Sequence, residues 1–119
     1  MTRPTWLYNR DDPRQGNARQ LARGVNTRVF AGTNSMLSLV RVDPHSVGAV
    51  HRHPEEQWGY LLEGECVRIQ GGQEIQVKAG DFWHTPGGMP HGIRTGARAA
   101  VILDIFSPPR TAYQRPCPS

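Results

Sequence analysis

Apolar residues along this chain fall in short runs with a two-residue period, interrupted at close intervals by turn formers. From Gln57 to Leu62, the residues Gln57, Gly59 and Leu61 share one side of an extended chain and Trp58, Tyr60 and Leu62 the other. In Val101-Ile-Leu-Asp-Ile-Phe106 the same period groups Ile102, Asp104 and Phe106. The 13 glycines and 10 prolines are spread along the chain, too often for long helices and at a spacing that suits short strands. The predicted strands are Arg28–Phe30, Met36–Val42, Trp58–Leu62, Cys66–Gln70, Glu74–Lys78, Phe82–Thr85, His91–Arg94 and Ala100–Phe106. Gly71-Gly72 reads as a hairpin turn between two of them. A short helix is predicted to start at Asp12, with Pro13 in its first turn. The fold class is therefore all-β, a sandwich or barrel.

Composition narrows this to one compact domain: 119 residues, 37% of them hydrophobic, suffice for a single core. The longest apolar run, Ala99–Leu103, is too short to cross a bilayer, which argues against a membrane span. Met1–Arg10 has no signal-like apolar stretch, so the expected compartment is the cytoplasm. The formal net charge of +4 raises nucleic acid as a partner. Yet the excess sits in residues 1–30, where six arginines face Asp11 and Asp12, while residues 31–119 balance. With no aromatic interleaving and no helix-turn-helix pattern, nucleic-acid binding is not the expectation. Cys66 and Cys117 are too few for a thiolate zinc site, and their spacing suggests no disulfide framework. The chain divides into a basic arm over 1–30, a β body over 31–106 and a Pro-rich strap over 107–119.

The chemistry concentrates in His51-Arg-His53-Pro-Glu-Glu-Gln57. Histidines at i and i+2 project from the same face of a strand, where two imidazoles can grip one metal ion, although alternating histidines also occur on plain solvated strands. Downstream, His91 follows the loop Pro86-Gly-Gly-Met-Pro90, which can pin the backbone near the same point. His45 and His84 lie outside this spacing and read as surface groups or supports, and Glu55 and Glu56 as solvated loop charges.

These residues resemble the two motifs of the cupin superfamily. The first motif, G-x5-H-x-H-x3,4-E-x6-G, is matched by His51, His53, Gln57 and Gly64. The second, G-x5-P-x-G-x2-H-x3-N, is matched by Gly80, Pro86, Gly88 and His91. The chain departs from the pattern at His45 for the opening glycine, Gln57 for the acid and Thr95 for the final asparagine. The resemblance implies a single-domain jelly-roll β-barrel with His51, His53, Gln57 and His91 as ligands of a divalent metal ion. Four neutral donors leave the ion its full charge for Lewis-acid work, and zinc, nickel, iron and manganese all suit the set. Gly59 then leaves room beside the metal, or marks a bulge.

Asp104, an acid within an apolar run, needs a partner or a task. Facing the barrel interior, it would have a raised pKa and act as general acid or base, with Arg110 binding a substrate carboxylate; the alternative is a structural Asp104–Arg110 pair. The segment Asp104 to Arg110 resembles the KdgF-type branch of small cupins, which linearises unsaturated uronates; there the positions of Asp104, Phe106 and Arg110 line the active site. The resulting expectation is a metal-dependent lyase, isomerase or cyclase acting on a small anionic substrate. Polyketide cyclisation, dioxygenation and non-catalytic ligand binding remain alternatives on the same barrel. A homodimer is expected, with Thr5-Trp-Leu-Tyr8 adding a strand or plug to a neighbour, unless Trp6 covers its own barrel.

Overall fold

The computed structural model describes residues 3–114. Its strands are β1 (Asn17–Ala22), β2 (Val25–Ala31), β3 (Met36–Val42), β4 (Val47–His51), β5 (Glu56–Gln70), β6 (Gln73–Lys78), β7 (Phe82–Thr85), β8 (His91–Arg94) and β9 (Ala100–Ser107), followed by a 3-10 turn over Thr111–Tyr113. They pair in the order β1-β2-β3-β9-β5-β8-β4, with β6 and β7 also on β5, and every pairing is antiparallel. The sheet curls on itself, as the jelly-roll reading expected.

β5 is the pivot of this curl. Trp58–Leu62 and Cys66–Gln70, expected as separate strands, are two halves of one strand of 15 residues. Its first half pairs with β9 and β7, its second with β6 and β8. A register shift against β9 between Leu61 and Glu63 turns the strand without breaking it. Gly64 completes the turn at φ 82°, where a Cβ would stand 1.9 Å from the Ala99 carbonyl oxygen. The Gly71-Gly72 hairpin has positive φ at both residues, as the two-glycine turn requires.

Two strands escaped the sequence pattern. β1 has three exposed residues of six and none buried, and β4 has four exposed residues of five, so neither carries a clean alternation. β1 and β2 lie within the stretch read as a basic arm, and β2 pairs with β3 along its whole length, so residues 17–31 belong to the sheet. The helix expected at Asp12 does not form. The Asp12 carboxylate accepts bonds from the Arg14 backbone and side chain in a local turn, and Gly16 at φ 78° redirects the chain.

The interior has two characters. Val25, Val40, Val42, Leu61, Cys66, Val77, Ala100 and Ile102 form an apolar cluster, each large side chain contributing about 1.5–3 kcal/mol by burial. His53, Gln57, Arg68, Thr85 and His91 are also buried. Polar groups inside a barrel must be satisfied or have a task, and these five lead to the site. Cys66 is buried with its thiol pushed up to about 11 by desolvation, so it remains neutral; Cys117 lies outside the described residues.

Candidate metal centre and active site

His51 ends β4 and His91 begins β8, and the two are register partners across that ladder. His53 stands two residues beyond β4, and Gln57 enters β5 opposite Thr85. Ring centroids are separated by 4.7 Å for His51–His91, 4.9 Å for His53–His91 and 5.6 Å for His51–His53. One candidate ligand atom from each of the three lies within 4.8 Å of the others. His91 therefore joins the 51/53 pair, as the motif spacing implied.

The hydrogen bonds select the ring nitrogens. His51 Nδ1 meets the Ala49 carbonyl at 2.9 Å, His53 Nδ1 the Glu55 carbonyl at 3.1 Å and His91 Nδ1 the Met89 carbonyl at 2.8 Å. A carbonyl only accepts, so each Nδ1 donates its proton and each Nε2 presents a lone pair. His53 Nε2 faces Gln57 Oε1 at 3.1 Å. Two electron-pair donors held against each other in a buried pocket suit a shared cation, and the residues present fit a divalent ion with three imidazoles and an amide oxygen. Glu55, expected to be a solvated loop charge, is instead turned inward. Its Oε1 is buried without a hydrogen bond and lies 3.4 Å from His53 Nδ1, where a carboxylate steadies the ring.

Desolvation holds His91 down to about 4, aided by the charge of Arg68 and opposed by the Met89 bond, and it lowers His53 as well. Both rings are thus neutral and ready to bind a metal at neutral pH. Because His91 binds a proton more tightly when unfolded, at 6.5, than when folded, its contribution to the stability of metal-free protein is present above 6.5 and lost as pH falls toward 4. The unfolding free-energy difference between metal-free wild type and His91→Gln is expected to shift against the wild type by roughly 3 kcal/mol from pH 7 to pH 4. Denaturant titrations at both pH values measure this, and a constant difference would refute it.

A cavity of about 420 Å³ opens onto this centre, lined by His51, Gln57, His91, Asp104, Phe106 and Arg110 among others. A hollow of about 530 Å³ beside Arg28 and Arg41 is larger but has no histidine in its wall. Asp104 faces inward on β9, as the alternation required, with Oδ1 buried and without a hydrogen-bond partner. Burial pushes its carboxyl up to about 6 against the charge of Arg68, a hydrogen bond with Gln57 and the charge of Arg110. No Asp104–Arg110 ion pair forms among the described residues; Arg110 lies over the Tyr113 ring at 4.3 Å. Phe106 is buried between His53 and Tyr113, with both ring pairs at 5.6 Å.

Gly59 does not provide the open space expected of it. The Trp83 indole fills the position, its Nε1 at 2.2 Å from where a Cβ would be, and Arg68 stacks on that indole at 5.1 Å. Sequence reasoning also passed over Arg68, which is buried and bonded to Thr85 Oγ1 at 2.8 Å and Gln70 Oε1 at 3.2 Å. Its place on the Cys66 face of β5 was the available signal, since alternation directs that face inward. His84 is a surface group as expected, bonded to Glu56 at 2.6 Å.

The family model of the cupin domain matches residues 38–106. The chain is a cupin. Among curated relatives, an oxalate decarboxylase from Bacillus subtilis is 31% identical over 91 residues, covering 71% of this cupin and 24% of the relative, so the chain spans about a quarter of that protein. The pectin degradation protein KdgF of Dickeya dadantii is 22% identical over 96 residues, covering 79% of this chain and 87% of that one. An RmlC-like cupin structure from Shewanella frigidimarina superposes with a TM-score of 0.77 at 24% identity, covering 85% and 91% of the two chains. KdgF from Halomonas sp. gives 0.76 at 22% identity, covering 85% and 94%.

The departures from the cupin motifs have structural readings. His45 stands at φ 55°, a left-handed position that explains a glycine preference there. Thr95 takes over as a tie: its hydroxyl donates to the Asp43 carbonyl at 2.5 Å and accepts from the Ser46 backbone at 3.0 Å. No helix among the described residues is long and apolar enough to cross a membrane.

Proposed function

We propose that this cupin is a cytoplasmic, metal-dependent enzyme that isomerises a small oxygenated organic acid, with the ring opening of an unsaturated uronate as the model reaction. The observation that carries this reading is the convergence of the three imidazoles and Gln57 on a cavity that also holds Asp104 and Arg110. A divalent ion on His51, His53, Gln57 and His91, drawn from zinc, nickel, iron or manganese, supplies Lewis acidity toward a substrate oxygen when bound. Arg110 binds the substrate carboxylate and orients it, while buried Phe106 forms an apolar wall. Asp104 carries the proton. The cyclic enol ether opens as its ring C–O bond at the hemiacetal carbon breaks. One proton passes from oxygen to the vinyl carbon, so atoms and oxidation state are conserved and no redox partner is needed.

Metal-loaded protein is expected to consume a 4,5-unsaturated uronate, read as loss of its ultraviolet enol-ether absorbance with a keto-acid product by NMR. No consumption with zinc, nickel, iron or manganese loaded in turn would overturn the uronate assignment. Oxygen uptake during turnover would move the reaction to the oxidative class.

Pairing of two copies is proposed for the outer sheet face, and Trp6, 74% exposed, remains available to a neighbouring copy through the Thr5–Tyr8 segment. Register aligns Leu37, Ile105 and Trp58 in one row across β3, β9 and β5, and Leu39, Leu103, Tyr60 and Phe82 in the next, which extends to β7. Trp58, Tyr60, Phe82, Leu37 and Ile105 are all exposed, an apolar face that sheet-to-sheet contact would cover. Sedimentation is expected to show a dimer that Trp58→Glu turns into a monomer. Wild-type monomer at high concentration would overturn it.

A further inference from the structure

The 3-10 turn after β9 brings a second polar group to Arg110. Arg110, extended at φ −79° and ψ 104°, caps the turn over Thr111–Tyr113, and the Tyr113 N–H donates to the Arg110 carbonyl at 3.0 Å. Side chains three residues apart in such a turn eclipse one another, so the guanidinium and the phenol fall on one side of it. The Arg110 guanidinium carbon lies 4.3 Å from the Tyr113 ring centroid. Phe106 fixes the ring from another direction, edge to face at 5.6 Å and 89°, and is itself buried with Val29 and Met36. Arg110 and Tyr113 both line the cavity that holds Asp104.

The Tyr113 hydroxyl is in hydrogen-bonding contact with the Arg110 guanidinium. A guanidinium only donates, so this contact occupies a lone pair of the phenol oxygen and directs its O–H elsewhere. Burial pushes the phenol up from its ordinary value, against the charge of Arg110, so the hydroxyl keeps its proton at neutral pH. A donor held at the edge of a carboxylate-binding guanidinium is placed for an oxygen close to that carboxylate. An ether or hydroxyl oxygen on the neighbouring carbon meets this need, and a methylene in the same position does not.

We propose that Tyr113 is a further substrate-binding residue, which with Arg110 selects monocarboxylic acids that carry an oxygen on the carbon next to the carboxylate. This deepens the proposed function and rests on its reading of the cavity as the substrate site. Arg110 takes the carboxylate and the Tyr113 O–H donates to the neighbouring oxygen. In an unsaturated uronate that atom is the ring oxygen, which becomes the enol oxygen as the ring opens. Tyr113 gives it a hydrogen bond and transfers no proton. Phe106 and the turn hold the phenol in place, so the donor is set before the ligand arrives.

Calorimetric titration of metal-free protein with tetrahydropyran-2-carboxylate and with cyclohexanecarboxylate isolates this contact, because the two acids share carboxylate and ring size and differ only in the oxygen. The preference of wild type for the oxygen-containing acid is expected to exceed that of Tyr113→Phe by about fivefold, the worth of one hydrogen bond. Phenylalanine keeps the ring against Phe106, so affinity for the carbocyclic acid should be unchanged. Arg110→Gln should weaken both acids. Tyr60→Phe, at an exposed tyrosine outside the cavity, should leave the preference as in wild type. Circular dichroism of each variant separates loss of the contact from loss of the fold. The same preference in wild type and folded Tyr113→Phe, or no binding of either acid by wild type, would overturn the assignment. These titrations require neither metal nor turnover, so failure of the uronate reaction would leave a Tyr113-dependent preference standing. An unchanged preference beside intact uronate turnover would remove the role of Tyr113 alone.

Discussion

Alanine at His91 is expected to empty the metal centre while leaving the barrel folded. His91 belongs to no local motif with the 51/53 pair: it comes from β8, 38 residues beyond His53, and meets His51 only through the β4–β8 ladder. Its Nδ1 is committed to the Met89 carbonyl, so Nε2 is directed at the cluster without a rotamer search on binding. Removing it leaves two imidazoles and a neutral amide, and no carboxylate lies in the donor set to compensate. Affinity for zinc should fall by at least about a hundredfold, beyond what loss of a supporting hydrogen bond costs. Elemental analysis after dialysis against trace metal is expected to find about one ion per wild-type chain and almost none in His91→Ala. Gln57→Glu gives the opposite result, tighter binding, because a carboxylate replaces the amide oxygen. Full metal content in folded His91→Ala would mean that the cluster is not the binding site.

The barrel and the four-residue donor set were legible in the sequence because they depend on period and spacing. Gln57, Asp104 and Phe106 face inward for the reason that a strand alternates, and the long Ala100–Ser107 strand has no bulge to shift that parity within its β3 pairing. What escaped depends on contacts between distant positions. Alternation puts Arg68 on the inward Cys66 face of β5, but only its bonds to Thr85 and Gln70 in the folded chain show how a guanidinium is tolerated there. Gly59 read as open space because a missing side chain leaves room locally; the structure fills that room with Trp83, which sits opposite it on β7. Arg19 looked like one of many arginines in a basic arm, since β1 has too few apolar residues to declare itself a strand. Tyr113, beyond the last strand, had no periodicity to place it, and only the chain reversal after Ser107 brings it against Phe106. The missed residues are those that shape the cavity around the metal, and pocket walls are assembled from several strands at once.

Asp104→Asn is expected to lower kcat in the uronate assay by about a hundred- to ten-thousandfold with metal content unchanged. Asparagine keeps the size and planarity of the side chain, and its amide can still bond to Gln57, so the wall of the cavity is preserved. It cannot accept and return a proton. Asp104 is fitted for that exchange because burial raises its carboxyl to about 6 while Arg68, Gln57 and Arg110 keep it from rising further. Its Oδ1 is buried and has no hydrogen-bond partner among the described residues, which is the desolvation that favours the protonated form. A structural role makes a different forecast. Had Asp104 closed the barrel through an ion pair with Arg110, the asparagine variant would lose stability and little rate. The observed geometry gives Arg110 to Tyr113 instead, so removing a desolvated charge should leave metal-free protein as stable as wild type or more so. Thermal denaturation and kcat measured on the same preparations therefore separate the two roles. Near-normal turnover with a lowered Tm would assign Asp104 to the framework and leave the proton to another group in the cavity.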